Sequence, residues 1–294
     1  MTATLSGLGA IGLWSVLALL TVGTGAIPPF QLAMITFAVA SLLGAFVIMR
    51  SGKGWAVLRQ PPKAWALGIY GLFCYHALYF AALRLAPPAE AGLIAYLWPL
   101  LIVLMTALLP GERLSPRHVF AASLGLLGVI VLGLGKGATS GQGLGFDAVN
   151  WKGYLAALGC AVIWSSYSVL SRTQAEVPTE AVTGFCLATA ILSGLCHLAF
   201  ETPVWDQSLN QWLCILALGL GPVGAAFFLW DIGMKRGDIR LLGTASYAAP
   251  VLSTILLVLF GFAAPHWTLA LACVLIVGGA VIAVERKATS ASDC

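Results

Sequence analysis

Charge is what this sequence has least of. Asp, Glu, Lys and Arg make up 9% of its 294 residues, against about 25% in an ordinary soluble domain. So few charges cannot keep a globule of this size wet. A water-soluble enzyme, a nucleic-acid-binding protein and a disordered scaffold are excluded, and the net charge of +4 is no nucleic-acid footprint. No basic stretch precedes the first apolar run, so Met1–Leu20 reads as retained sequence and not as a cleaved signal peptide. The seven cysteines form no C-x-x-C pair. Cys74, Cys160, Cys186, Cys196, Cys214 and Cys273 lie in apolar runs, where cysteine is a small hydrophobe. Enzymatic signatures are missing as well. After Gly135–Lys136 comes Gly137, where a phosphate loop needs Ser or Thr. There is no H-E-x-x-H, no nucleophile elbow with a triad and no pair of deep aspartates. No enzymatic activity, cofactor or metal is expected.

What the chain has instead is apolar length. Hydrophobic residues make up 60% of it and its mean hydropathy is +0.96. A helical membrane span takes about 20 apolar residues. Ten such runs follow one another, at 7–26, 30–49, 64–83, 89–109, 118–135, 151–172, 179–200, 211–234, 241–260 and 267–284. Pro28–Pro29, Pro61–Pro62, Pro87–Pro88 and Pro110–Gly111 punctuate the connectors. The runs are too long and too continuously apolar for barrel strands. With the N-terminus inside, twelve of the fifteen Lys and Arg residues fall in inner loops. Only Arg84, Lys136 and Lys152 fall outside, a positive-inside bias that puts both termini in the cytoplasm. The acidic loop Glu201–Asn210 fits the outer side. Trp55, Trp65, Trp151, Trp205, Trp212, Trp230 and Trp267 lie near predicted span ends, as an interfacial belt requires.

The chain also repeats itself. A shift of 150 residues places Trp14 on Trp164 and Gly128 on Gly278, and a shift of 151 places Gly92 on Gly243, Tyr96 on Tyr247 and Pro99 on Pro250. Five spans per half is an odd number, so the halves cross the membrane in opposite senses. The expected fold is an all-α polytopic membrane protein of ten transmembrane helices, built as two inverted-topology five-helix repeats. Residues 1–135 form the first repeat, 136–150 a linker and 151–294 the second repeat with a short cytoplasmic tail. Gly133–Gly145 reads as flexible.

The two-times-five organisation, the P-P-A-E-A-x-x-x-x-Y-L-W-P-L segment from Pro87 to Leu100 and the G-E-R-L-S run at Gly111–Ser115 resemble the drug/metabolite transporter superfamily. Each half is similar to one of its EamA-type repeats. The cluster Tyr75-His76-x-x-Tyr79, taken with Tyr96-x-Trp98-Pro99, resembles the aromatic amino-acid exporter group. The second half departs from the pattern, with Gly261–Ala264 in place of the acidic G-E turn. The resemblance implies a secondary transporter of a bacterial inner membrane, exporting amino acids, aromatic and other neutral ones preferred, or related metabolites. Its partners are then a small-molecule substrate and the lipid bilayer, with no nucleic acid, and a monomer suffices. A proton-coupled multidrug or metabolite exporter and a membrane-embedded lipid-handling enzyme are the alternatives.

The candidate site residues are few. Pro99 and Pro250 occupy matched mid-span positions, and paired interruptions of this kind point to a binding site. Gly221–Pro222 is an unmatched break. Tyr75 and Tyr79 share a helix face with His76 beside them. His76 is the one titratable side chain expected deep in a span, and such a group is a functional candidate by default. Trp14, Tyr96, Trp98, Trp164 and Tyr247 complete an aromatic wall, with core packing as the plain alternative. Glu90 is expected to act on a helix dipole, and Asp231 to pair with Lys235 four residues on. Gly92, Gly125, Gly128, Gly219, Gly278 and Gly279 are expected at close helix contacts, and alternating access is pictured as rocking of the two halves.

Overall fold

The computed structural model of the chain describes residues 1–111, 115–140, 147–262 and 264–283. Glu112 and Arg113 of the G-E-R-L-S run, the 141–146 part of the linker, and the basic pair Arg286–Lys287 lie outside the described residues. Among those described, regular structure is helical throughout, with no strand. Nine helices are long and apolar enough to cross a membrane. They are α1 (Thr2–Val22), α2 (Pro29–Ser51), α3 (Pro62–Leu85), α4 (Glu90–Leu108), α5 (Pro116–Gly135), α6 (Ala148–Gln174), α7 (Thr179–Phe200), α8 (Leu209–Arg236) and α9 (Ile239–Leu259). A shorter apolar helix, α10 (Trp267–Ala283), completes the ten. The helix of α5 continues to Ser140, so residues 133–140 are helical where the glycine-rich composition predicts a flexible linker. Gly133 serves proximity: a Cβ on it would press on Leu93 at 3.0 Å.

Apart from a one-residue break at Val16 in α1, four spans are interrupted, in two matched pairs. A wide π turn at Tyr70–Cys74 interrupts α3, and its counterpart at Gly221–Ala225 interrupts α8. Gly221–Pro222 therefore has a partner after all. The first-half turn contains no proline to betray it. In α4 and α9 the helix stops at Tyr96–Leu97 and Ser246–Tyr247 and restarts at Trp98 and Ala248. Pro99 and Pro250 sit in the first turns of the restarted segments, where the missing N–H has no intrahelical acceptor to lose. The break thus precedes each proline, and each interruption is a restart of the helix.

In hydrocarbon the backbone groups at such breaks need partners within the protein. The Leu97 and Tyr247 N–H groups tighten onto Ile94 and Thr244 carbonyls three residues back, at 3.0 and 3.3 Å. The N–H of Leu100 donates to the Tyr247 hydroxyl at 3.2 Å, and Ser165 Oγ donates to the Trp98 carbonyl at 2.8 Å. Both bonds cross from one half of the chain to the other.

Crossing is the rule in the packing. α1 packs on α8 and α9 of the second half, and α6 packs on α3 and α4 of the first. α2 lies along α7, and α5 lies along α10. The first helix of each half is therefore exchanged into the other. Glycine permits the tightest approaches: a Cβ on Gly125 would lie 2.2 Å from the Tyr247 ring, and one on Gly279 2.6 Å from the Ala121 carbonyl. Gly128 and Gly219 also meet neighbours. Gly92 and Gly278, expected at contacts, face open space.

Two ends of the bundle are tied differently. At the end that holds the N-terminus, the Asp238 N–H donates to Thr4 Oγ1 (3.0 Å), Lys53 pairs with Glu180 (2.7 Å), and Arg172 donates to the Met234 and Gly237 carbonyls at 3.2 and 2.8 Å. We call this the terminal end. At the opposite end Glu201, expected in a solvated loop, is buried. Its carboxylate accepts the N–H groups of Phe30 and Gln31 at the start of α2, each at 3.0 Å, and meets Arg84 at 3.2 Å and His197 at 3.0 Å. A carboxylate on a helix N-terminus is favoured by the exposed N–H groups and the helix dipole.

Tyr247→Phe removes the acceptor for the Leu100 N–H while keeping the ring. Hydrogen bonds inside membrane proteins contribute about 0.6–2 kcal/mol, so the variant is expected to fold with a melting temperature lowered by a few degrees in detergent. Differential scanning fluorimetry checks this, and an unchanged melting temperature counts against the bond.

Candidate functional site

Trp14, Trp98, Trp164 and Trp230 meet at the centre of the bundle, contributed by α1, α4, α6 and α8. Every pair among them is in contact, with ring centroids between 5.0 Å (Trp14–Trp230) and 6.4 Å (Trp98–Trp164). The arrangements are mostly edge-to-face, which the ring quadrupole favours. Phe227 stands 6.3 Å from Trp14 and 5.7 Å from Trp164. Trp230 is 1% exposed and donates through Nε1 to Ser168 Oγ at 3.1 Å. It therefore belongs to this cluster and not to the interfacial belt its position near a span end suggests. The overlooked signal is its spacing from Phe227, three residues and one helix face away.

The span-three cluster adjoins the tryptophans. Tyr75 and Tyr79 stack with centroids 6.1 Å apart and planes 4° apart, and Tyr75 lies 5.3 Å from Trp164. His76 sits between Phe37 (5.0 Å) and Phe227 (6.3 Å). Tyr75, His76, Tyr79 and Phe80 remain partly exposed although they face these deep rings. Toward the terminal end Tyr167 (4%), Trp230 (1%) and Phe227 (6%) are buried. Phe37 and Tyr167 are further aromatic members that the sequence patterns did not single out.

The wide turns orient two ring nitrogens. A π turn moves backbone bonding from i−4 to i−5, which disturbs the carbonyl pairing of the turn. His76 Nδ1 lies 2.7 Å from the Leu72 carbonyl, and Trp14 Nε1 donates to the Pro222 carbonyl at 3.0 Å. Both carbonyls lie within the π turns, Leu72 third in its turn and Pro222 second in its own. A carbonyl only accepts, so Nδ1 of His76 carries the proton, and Nε2 of the neutral ring is left as an acceptor.

Not every candidate comes to this centre. Tyr247 is wholly buried and packs in a second cluster with Val103, Ala122 and Val251, against which Tyr96 and Leu100 also lie. Pro99 and Pro250 are buried at the restarts of α4 and α9. Glu90 lies in the first turn of its helix and accepts the Tyr154 hydroxyl of α6. Among the described residues no group of three His, Cys, Asp or Glu side chains stands where it could hold a metal ion.

Residues 1–134 and 151–284 each match the model of the EamA-like transporter family. The chain belongs to that family. As a member of the drug/metabolite transporter superfamily it is an integral membrane transport protein, and the enzyme alternatives fall away. It is 61% identical, over 96% of both chains, to a protein of Ancylobacter novellus named aromatic amino acid exporter YddG. A Salmonella typhimurium protein of the same name is 29% identical over 86% of this chain and 87% of its own. A Pseudomonas aeruginosa protein named pseudopaline exporter CntI is 27% identical over 72% of this chain and 71% of its own. A crystal structure of a protein 60% identical in sequence superposes with a TM-score of 0.91, covering 96% of each chain.

Within this EamA-type centre, Trp14→Phe keeps a ring in the tryptophan cluster but removes the donor to Pro222. The expected result is a melting temperature lowered by several degrees, while Trp55→Phe, at a position 54% exposed, leaves it unchanged. Equal melting temperatures for the two variants contradict the role given to the Nε1–H.

Proposed function

We propose that this chain is a secondary carrier that exports aromatic and other neutral amino acids, or metabolites of similar chemistry, from a bacterial cytoplasm. The observation that carries the reading is the meeting of four tryptophans with the Tyr75–His76–Tyr79 cluster on partly exposed space. Aromatic walls receive the apolar side chain of the solute. An ammonium group is attracted to tryptophan faces, and the His76 Nε2 acceptor and the tyrosine hydroxyls suit the polar end. The names borne by the most similar relatives support the same class of substrate. In this reading Tyr75, His76, Tyr79, Trp98, Trp164 and Trp14 line the site, and Tyr96, Tyr247, Pro99 and Pro250 shape the broken helices beside it.

The repeats are residues 1–135 and 151–294, joined by 136–150, and the terminal end faces the cytoplasm in accord with the basic residues gathered there. Because α1 and α6 are exchanged, the bodies that move are not the two halves of the chain. One body contains α3 and α4 with α6, the other α8 and α9 with α1. Alternating access then separates α8 from α6 and α7 at one end and closes the other. A single chain contains both bodies, so a monomer suffices. With few charges near the centre, transport is facilitative.

Counterflow in proteoliposomes tests this. Saturable exchange of phenylalanine or tryptophan is expected, with weaker exchange of charged amino acids and a rate that does not follow an imposed pH gradient. Replacing His76 with Phe keeps the ring packing and is expected to lower flux about tenfold, the scale of one lost hydrogen bond to a charged group. Absence of saturable flux for every amino acid rejects the reading, and full flux in His76→Phe removes that residue from the site.

A further inference from the structure

The terminal end of α8 contains an ion pair that the aromatic centre does not use. Asp231 is 4% exposed and Lys235 8%. Lys235 Nζ lies 2.8 Å from Asp231 Oδ1 and 2.9 Å from Oδ2. Two further bonds tie the pair to the start of α7 and the loop before it. Thr179 Oγ1 at the start of α7 donates to Asp231 Oδ2 at 2.7 Å, and Lys235 Nζ donates to the Val177 carbonyl at 2.9 Å. A buried ion pair is a poor source of stability, since its desolvation offsets most of its attraction and well-packed apolar residues often do as well. Ionisable groups inside a membrane protein are retained for function by default.

The pair also lines a cleft. A narrow cleft opens at the terminal end between α3, α6, α7 and α8, and Asp231 and Lys235 line it together with Leu67, Gly68, Tyr167 and Phe185. It therefore presents one carboxylate, one ammonium and two aromatic rings. Tyr167 closes its inner side and stands 5.4 Å from Trp164 of the central cluster. Trp230, another member of that cluster, precedes Asp231 in the chain. Tyr167 is thus the ring that stands between the cleft and the tryptophans.

We propose that Asp231 and Lys235 form an entry subsite for the zwitterionic head of an amino acid arriving from the terminal side. This rests on the amino-acid reading above. When α8 parts from α6 and α7, Thr179 and the Val177 carbonyl leave the pair. The α-carboxylate then takes Lys235 and the α-ammonium takes Asp231, while the side chain lies against Tyr167 and Phe185. The solute replaces the bonds that the closed end makes to itself, so capture at the subsite and opening of that end are one event. No covalent step is involved.

Transport kinetics in inside-out and right-side-out membrane vesicles bearing the full chain test the proposal. Lys235→Met is expected to raise the KM for phenylalanine about tenfold when it is offered at the terminal face, the scale of one lost charged hydrogen bond. The KM at the opposite face stays within about twofold on the same scale. Phenethylamine, which lacks the carboxylate, is expected to compete at the terminal face as well in the variant as in the wild type. Lys235→Arg keeps the cation and restores the KM. Where Lys235→Met fails to fold because Asp231 is left unpaired, Asp231→Asn with Lys235→Met removes both charges and is expected to show the same face-specific rise. An unchanged KM at the terminal face, or an equal rise at both faces, overturns the subsite while leaving the carrier reading intact. Wild-type vesicles with no saturable phenylalanine flux overturn both.

Discussion

A polypeptide crossing hydrocarbon must satisfy its own backbone, because no water is there to do so. The interruptions of α3, α4, α8 and α9 are shaped by that requirement. Each disturbs the ladder of main-chain bonds, and at α4 and α8 side chains distant in sequence take up the freed groups. The hydroxyl of Tyr247 takes the Leu100 N–H, Ser165 serves the Trp98 carbonyl, and Trp14 serves Pro222. These repairs join residues from opposite halves of the chain. The exchanged packing of α1 and α6 is thus matched by hydrogen bonds as well as by apolar contact.

The aromatic centre follows from the same geometry. A π turn rotates the helix that follows it relative to the helix that precedes it, and both wide turns lie immediately ahead of the residues that face the tryptophan cluster. Tyr75 and His76 follow Cys74, and Phe227 and Trp230 follow Ala225. The turn that disturbs the ladder is also the turn that aims the rings. His76 and Trp14 then fasten the two turns by ring nitrogens set on turn carbonyls, the first within its own helix and the second from the other half of the chain.

Much of the fold was legible in the residues. Ten apolar runs, an offset near 150 and the mid-span aromatics are direct consequences of the bilayer as a solvent, and they translate into helices, a repeat and Trp14, Trp98 and Trp164 at the centre. What was not legible depends on three-dimensional pairing. The π turn at Tyr70–Cys74 leaves no mark in composition, since a widened turn needs neither proline nor a run of glycine. Trp230 lies near a span end by counting, yet α8 is long enough for that position to reach the core. Glu201 sits in a connector by hydropathy, and only the arrival of α2, Arg84 and His197 makes a buried anchor of it. Gly133 and Gly135 look like slack in the sequence, because composition does not distinguish a flexible glycine from one that makes room.

The exchange of α1 has a consequence for biogenesis. Its partners α8 and α9 begin some two hundred residues later in the chain. At a synthesis rate of about 5–20 residues per second, α1 waits roughly 10–40 s in the membrane before either exists. During that interval its contact face has only lipid, the translocation machinery or transient neighbours to meet. The first five spans cannot complete their native packing on their own, and since α5 lies along α10 the chain acquires its final form only after the tenth helix has entered. The transporter is therefore assembled last to first: the helix that is made earliest is among the last to find its place.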